Sequence, residues 1–233
     1  GYIPGTTTYE ILGVNSDGKA SRRLWRDSEW QEWIEDDPGK GTAIEGVTGI
    51  RSISMSSGGT SQRTWWATLN DGRIVHKDIS QSDKGTWKEM DTPDERRIAT
   101  LAAGAAPERD QTDLLAIDIW GNTWHRQQAE EWLPWQLLDL PSARIATFTS
   151  CQPHHLEMWV VTIDGRILHR ASHGGDLAWS DWRSMDTPKN APVISICGSM
   201  QGQGSHDIIV ETANRSQWHR EHVGSTWGDW NPL

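Results

Sequence analysis

The sequence predicts an all-β fold, a five-bladed antiparallel β-propeller built from five repeats of about 47 residues. Three observations predict it. A Trp-x-x-Trp pair returns at Trp30/Trp33, Trp132/Trp135, Trp179/Trp182 and Trp227/Trp230, with a worn copy at Trp87-Lys88-Glu89-Met90. A basic dipeptide precedes each pair: Arg22-Arg23, His76-Lys77, His125-Arg126, His169-Arg170 and His219-Arg220, its second residue recurring every 44 to 54 positions. A turn segment stands before each dipeptide: Asp17-Gly18, Asp71-Gly72, Trp120-Gly121, Asp164-Gly165 and Asn214-Arg215.

Four strands can be placed in each repeat. First strands read as residues 50–55, 97–102, 144–149 and 193–197, while unit one offers only Tyr2-Ile3. Second strands are the apolar runs 11–14, 65–69, 114–117, 158–161 and 208–210. Asp-Gly after such a run signals a hairpin, and the turn expected is a two-residue type I′ with positive φ at both central positions. On the third strand Val75, Trp124, Leu168 and Trp218 alternate with His76, His125, His169 and His219. The apolar set should therefore pack on a neighbouring blade and the histidines face the other way. The fourth strand is expected to be short and to carry the Trp pair. Radial stacking buries both faces of each sheet, so repeats 1–47, 48–93, 94–141, 142–189 and 190–233 are expected to form one domain.

Composition narrows the function. The net charge of −10 disfavours nucleic acid and anionic membranes as partners. No apolar run approaches the ~18 residues of a membrane span. The first residues lack the basic and apolar regions of a secretory signal, so a soluble protein is expected, cytoplasmic or non-classically secreted. There are 16 Trp and one Phe, and a five-sheet core would absorb much of this Trp. Cys151 and Cys197 sit at different offsets within their runs and read as buried thiols rather than a disulfide.

Catalytic chemistry is hard to place. A glycosidase needs two carboxylates, yet the four recognisable first strands, which line a propeller's channel, hold no Asp or Glu. Ser82–Trp87 approaches a sialidase Asp-box once, one residue short, and the two tyrosines, Tyr2 and Tyr9, both lie near the start. No Gly-rich loop opens a helix, and a ring spreads the histidines apart, so neither a cofactor nor a metal is expected.

One polar position recurs instead. Glu10, Thr64, Asp113, Glu157 and Asp207 stand at the start of the second strand, where acids are disfavoured. With His76, His125, His169 and His219, and Arg126, Arg170 and Arg220, they supply acceptors and donors for hydroxyl groups. Trp65, Trp66, Trp120 and Trp159 lie outside the Trp pairs and are the candidate stacking faces for a sugar ring. The competing reading is that each acid pairs with a His or Arg as a structural ion pair.

The run Leu156-Glu157-Met158-Trp159 to Asp164-Gly165, Leu168-His169-Arg170 and Trp179-Ser180-Asp181-Trp182 resembles the repeat of the Photorhabdus-lectin-like propellers, in the superfamily of fucose-specific lectins. Units three and five match through Asp113, Trp124-His125-Arg126 and Trp132/Trp135, and through Asp207, Trp218-His219-Arg220 and Trp227/Trp230. Units one and two depart from it at Arg22, Thr64 and Met90. The more distant Aleuria-type lectins belong to the same superfamily, while the blade count is closer to tachylectin-like propellers. The resemblance implies a multivalent, non-catalytic lectin that binds fucose-like, galactose-like or O-methylated sugars between blades, with glycans or glycoconjugates as partners. A homo-oligomer is compatible with it. The alternatives are a protein-interaction propeller without a sugar site and, less favoured, a propeller glycosidase or sialidase.

Overall fold

The computed structural model describes residues 9–26, 28–36, 44, 49–58, 62–79, 85–105, 111–149, 155–172, 179–200, 205–223 and 226–233. Cys151, the candidate first strand at Tyr2-Ile3 and residues 82–84 of the Asp-box-like segment lie outside these.

Five antiparallel sheets form five blades set in a ring. Blade 1 holds β1 (Tyr9–Val14), β2 (Ala20–Arg26), β3 (Glu29–Trp30) and β4 (Ile34–Asp36). Blade 2 holds β5 (Ile50–Gly58), β6 (Gln62–Leu69), β7 (Ile74–Ile79) and β8 (Trp87–Met90). Blade 3 follows with β9 (Ile98–Gly104), β10 (Asp113–Asp118), β11 (Thr123–Gln127) and β12 (Gln136–Leu137). Blade 4 has β13 (Ala143–Thr149), β14 (Leu156–Thr162), β15 (Ile167–Ser172) and β16 (Arg183–Met185). Blade 5 has β17 (Val193–Met200), β18 (Ser205–Thr212), β19 (Gln217–Val223), β20 (Thr226–Trp227) and β21 (Asn231–Pro232). Strands β5, β9, β13 and β17 succeed one another around the centre, and β1 takes the place beside β5. Among the described residues blade 1 has no strand inside β1.

Apolar side chains of alternate phase bury against the next blade. Leu12, Val14 and Ala20 pack on Ile50, Trp65, Ala67 and Val75. Trp66 and Ile74 pack on Ile98, Leu114, Ala116 and Trp124. Leu115 and Ile117 meet Ala146, Met158 and Val160, and Trp159 and Val161 meet Ile196, Ile208 and Val210. Among the described residues no such cluster joins blade 5 to blade 1. That difference corrects one expectation. Cys197 is exposed rather than buried, because it shares a face of blade 5 with its cross-strand partner Ile209, which no neighbouring core covers.

The turns also differ from expectation. Asn15, Leu69, Asp118, Thr162 and Thr212 each donate an N–H to the carbonyl four residues on, closing three-residue loops. Positive φ occurs at Gly72 (94°) and Gly165 (85°) but not at the preceding Asp, so the turn is a three-residue hairpin with one left-handed residue, not type I′. The glycine carbonyl then reaches the next blade. Ile50, Ile98, Ala143 and Val193 donate N–H bonds of 2.6, 2.9, 2.8 and 3.0 Å to Gly18, Gly72, Gly121 and Gly165. Close approach forbids a side chain: a Cβ on Gly72 would lie 2.7 Å from Arg97 Cα, and one on Gly165 2.6 Å from Pro192 Cβ. The fifth turn carries Arg215 at φ 66° instead.

Of the Trp residues that fill the seams, Trp66 and Trp159 keep their indole N–H bonded, while Trp65 Nε1 is buried without a partner among the described residues. Trp66 Nε1 donates to Ser56 Oγ and Trp159 Nε1 to Thr149 Oγ1, both at 2.9 Å.

Gly72→Ala and Gly165→Ala should each destabilise the fold by about 2–4 kcal/mol, through left-handed strain and a clash with the next blade. Gly13→Ala, where a Cβ meets nothing within 4 Å, should change stability by less than about 1 kcal/mol. Urea unfolding checks the contrast, and equal effects would contradict the latch.

Candidate functional site

The basic residue on the third strand organises each seam. Its neighbour, the Trp pair, lies mostly before the last strand rather than on it, a correction to the sequence reading. In blades 3 and 4 only Trp132 and Trp179 make single bridges, to Gln128 and Ser172. The physical reason is that this segment wraps around the guanidinium. Arg23, Arg126 and Arg220 donate Nε–H to the carbonyls of Gln31, Leu133 and Gly228 at 2.7, 2.7 and 2.5 Å. Arg126 lies 5.5 Å from both the Trp132 and Trp135 rings, and Arg170 lies 5.0 and 4.8 Å from Trp179 and Trp182. Such cation–π contacts strengthen as they are desolvated.

A second carboxylate, absent from the sequence reading, closes most of these sites. Asp91 accepts from Arg126 and Asp186 from Arg220, both at 2.6 Å. Asp36 likewise holds Lys77 and also accepts from Trp87 Nε1. The backbone carbonyls of Asp91 and Asp186 accept from Trp135 and Trp230 Nε1 at 3.3 and 3.2 Å. The signal was present as a repeated Asp-x-Pro: Asp36-Asp37-Pro38, Asp91-Thr92-Pro93, Asp139-Leu140-Pro141 and Asp186-Thr187-Pro188. In blades 2 and 4 it runs into short 3-10 turns at Pro93–Glu95 and Pro188–Asn190. Asp139 breaks the pattern and makes no ion pair with Arg170.

The recurring acids divide by seam. Glu10 is fully buried, with Arg63 Nη1 at 2.8 Å and Arg22 Nη1 at 3.7 Å, so at the seam of blades 1 and 2 the structural ion-pair reading holds. Thr64 donates to Asp78 at 3.1 Å. Asp113 accepts from His125 Nε2 at 2.7 Å and Gln127 Nε2 at 3.2 Å. Glu157 is buried with His155 Nε2 3.7 Å away, and Asp207 is buried on β18. His169 stacks on Trp159 at 4.5 Å and His76 on Trp66 at 5.0 Å, while His219 is half-buried on β19.

The stacking candidates need correction. Trp65, Trp66 and Trp159 are 1, 3 and 0 % exposed, because they fill the seams, so they offer no open face. Trp120 is 61 % exposed, but it lies in the hairpin turn, at the opposite end of β10 from Asp113, under Arg96 at 5.3 Å. Rings do meet across seams, edge to face: Trp66 with Trp132, His125 with Trp179 and Trp159 with Trp227, at 5.5, 5.8 and 5.2 Å.

The seam of blades 3 and 4 brings the predicted groups together most fully. Asp113 and His125 come from blade 3, Arg170 and the Trp179/Trp182 pair from blade 4. Burial pulls the Arg170 guanidinium down to about 10, against the field of Asp113, which raises it. It remains cationic at neutral pH. A carboxylate, an imidazole N–H and a stacked guanidinium give paired acceptors and donors, the complement of neighbouring hydroxyl groups.

No family model matches the chain, and no curated protein sequence matches it significantly. Solved structures do. The chain is similar to the fucose-specific lectin from Aleuria aurantia (12 % identity, 97 % of this chain and 74 % of that one, TM-score 0.63). It is similar to BP39L lectin from Burkholderia pseudomallei (14 % identity, 97 % and 66 %, TM-score 0.66). The lectin SapL1, in complex with α-methyl fucoside, matches at 13 % identity over 99 % and 77 % of the two chains, TM-score 0.65. The fold is thus that of the propellers found in fucose-specific lectins. A structure of Kap60 bound to yeast RCC1 also matches, at TM-score 0.54, so likeness of fold reaches past lectins.

Two outcomes follow from the charges. Glu10→Gln should cost about 3 kcal/mol, since it removes the carboxylate set against two buried arginines; Glu131→Gln, at an exposed position, should cost under about 0.5 kcal/mol in the same urea titration. Burial holds His76 below the ordinary imidazole value of 6.5, with Asp78 opposing and Lys88 assisting. The unfolded chain then binds the proton first, so stability present above pH 6.5 is lost as pH falls below it. His76→Asn should flatten that part of the stability–pH curve.

Proposed function

We propose that this chain is a carbohydrate-binding lectin that uses its blade seams and performs no catalysis. One observation carries the reading: at the seam of blades 3 and 4 His125, bonded to the Asp113 carboxylate, meets Trp179 at 5.8 Å, and Trp179 and Trp182 flank the Arg170 guanidinium. A carboxylate and a guanidinium on one seam can accept from and donate to sugar hydroxyls, and the half-buried Trp rings supply an apolar border for its C–H face. The neighbours named as fucose-specific or bound to fucosides support a fucose-like ligand, with galactose-like and O-methylated sugars in the same chemical class. Glycans or glycoconjugates are the partners this implies.

A glycan array followed by calorimetry tests it. Binding to fucosylated glycans is expected, and Asp113→Asn and Trp179→Ala should each weaken it by about tenfold or more, a loss near 1.4 kcal/mol, with the far-ultraviolet spectrum kept. A protein that binds no glycan would be an interaction propeller instead, and turnover of aryl glycosides would make it an enzyme.

A further inference from the structure

The seams are not equivalent, and the Asp-x-Pro carboxylate separates them. In the seam of blades 2 and 3 the acid position is Thr64, and Asp91 holds Arg126. Between blades 4 and 5 the acid is present as Glu157, but Asp186 holds Arg220. Between blades 1 and 2 Glu10 lies among arginines and Asp36 holds Lys77. Among the described residues, only between blades 3 and 4, of these four, does an acid share the seam with an arginine that no carboxylate clamps.

The cause is a shorter loop. Seven positions separate Asp91 from Ile98 and Asp186 from Val193, where the next blade begins, but four separate Asp139 from Ala143. The missing residues are those that form the 3-10 turns of the other two loops, Pro93–Glu95 and Pro188–Asn190. Without that turn Asp139 does not reach Arg170. The Arg170 side chain has shifted accordingly. Its Nε contacts Met158 Sδ at 3.4 Å, where Arg126 and Arg220 bond a loop carbonyl. Arg23, on blade 1, also lacks a clamp among the described residues, but Trp30 and Trp33 beside it are 37 and 49 % exposed, and among the described residues no shared core joins blade 5 to blade 1.

We propose that the Asp-x-Pro carboxylate is a built-in competitor that occupies the arginine in place of a sugar hydroxyl, so that the seam of blades 3 and 4 is the binding site and the clamped seams are structural. The proposal rests on the carbohydrate reading above. It makes loop length, rather than the acid or the Trp pair, the determinant of how many sites one chain offers. Asp113 beside Arg170 further selects a neutral diol over an anionic sugar, since a ligand carboxylate would meet a like charge.

Calorimetry with α-methyl fucoside tests this on the whole chain. The unmodified protein should bind about one sugar per chain, and Arg170→Ala should weaken binding by about tenfold or more. Asp186→Ala should raise the stoichiometry to about two, because Glu157 is already in place, while Asp91→Ala should leave it at about one, because Thr64 is not an acid. Asp186 is 63 % exposed in its side chain, so its loss should not unfold the protein. Three or more sugars per unmodified chain, or no change in Asp186→Ala, would overturn the proposal and leave the lectin reading intact. Absence of binding by any sugar would overturn both. A readout that needs no sugar is phenylglyoxal labelling with peptide mapping. Arg170 should react faster than Arg126 and Arg220, and faster labelling of the clamped pair would count against it.

Discussion

The latch between a turn glycine and the next blade is the constraint on which the seams depend. The hairpins of blades 1 to 4 each turn through a left-handed glycine whose carbonyl accepts an N–H at the start of the following blade. This sets the rotation of one sheet against the next, and with it the distance across which second-strand acids face third-strand cations. A side chain at the turn would push that next strand away, as the 2.7 Å approach at Gly72 shows. The fifth turn makes the same point in reverse. Arg215 stands there, and no buried cluster joins blade 5 to blade 1 among the described residues.

Given that geometry, each seam must settle a partly buried cation. Removing a guanidinium from water is costly, and it is offset here by ring faces, a loop carbonyl and a carboxylate from the preceding blade. Where all three are present, the arginine is satisfied within the protein and the seam contributes to stability. Where the carboxylate is missing, as at Arg170, the guanidinium keeps its two ring faces and the Met158 sulfur as its contacts. On the proposed reading, structure and recognition draw on the same residues, and a three-residue difference in loop length moves a seam from one role to the other.

The architecture was legible in the sequence because repetition makes it so. The third strand's alternation, Trp124 against His125 and Leu168 against His169, separates the two faces of each blade, and the recurring acid marks the seam. Burial was not legible. Trp66 and Trp159 look like spare aromatics until the sheets are stacked, when their rings prove to be seam filling with hydroxyl partners on the first strand. The turn type was misjudged because Asp-Gly suits both a two-residue and a three-residue hairpin, and only the pairing register separates them. The Asp-x-Pro motif was present four times in the sequence, yet nothing local ties Asp91 to Arg126, 35 positions away. Its partner is set by the closure of one blade on the next.

The most direct measurement is a crystal structure of the chain with α-methyl fucoside. The expected result is one sugar between blades 3 and 4, its hydroxyls bonded to Arg170 and Asp113, with Asp91 and Asp186 still on Arg126 and Arg220. A sugar seated at either clamped seam with those ion pairs intact, or bound on the exposed Trp120 turn alone, would contradict it.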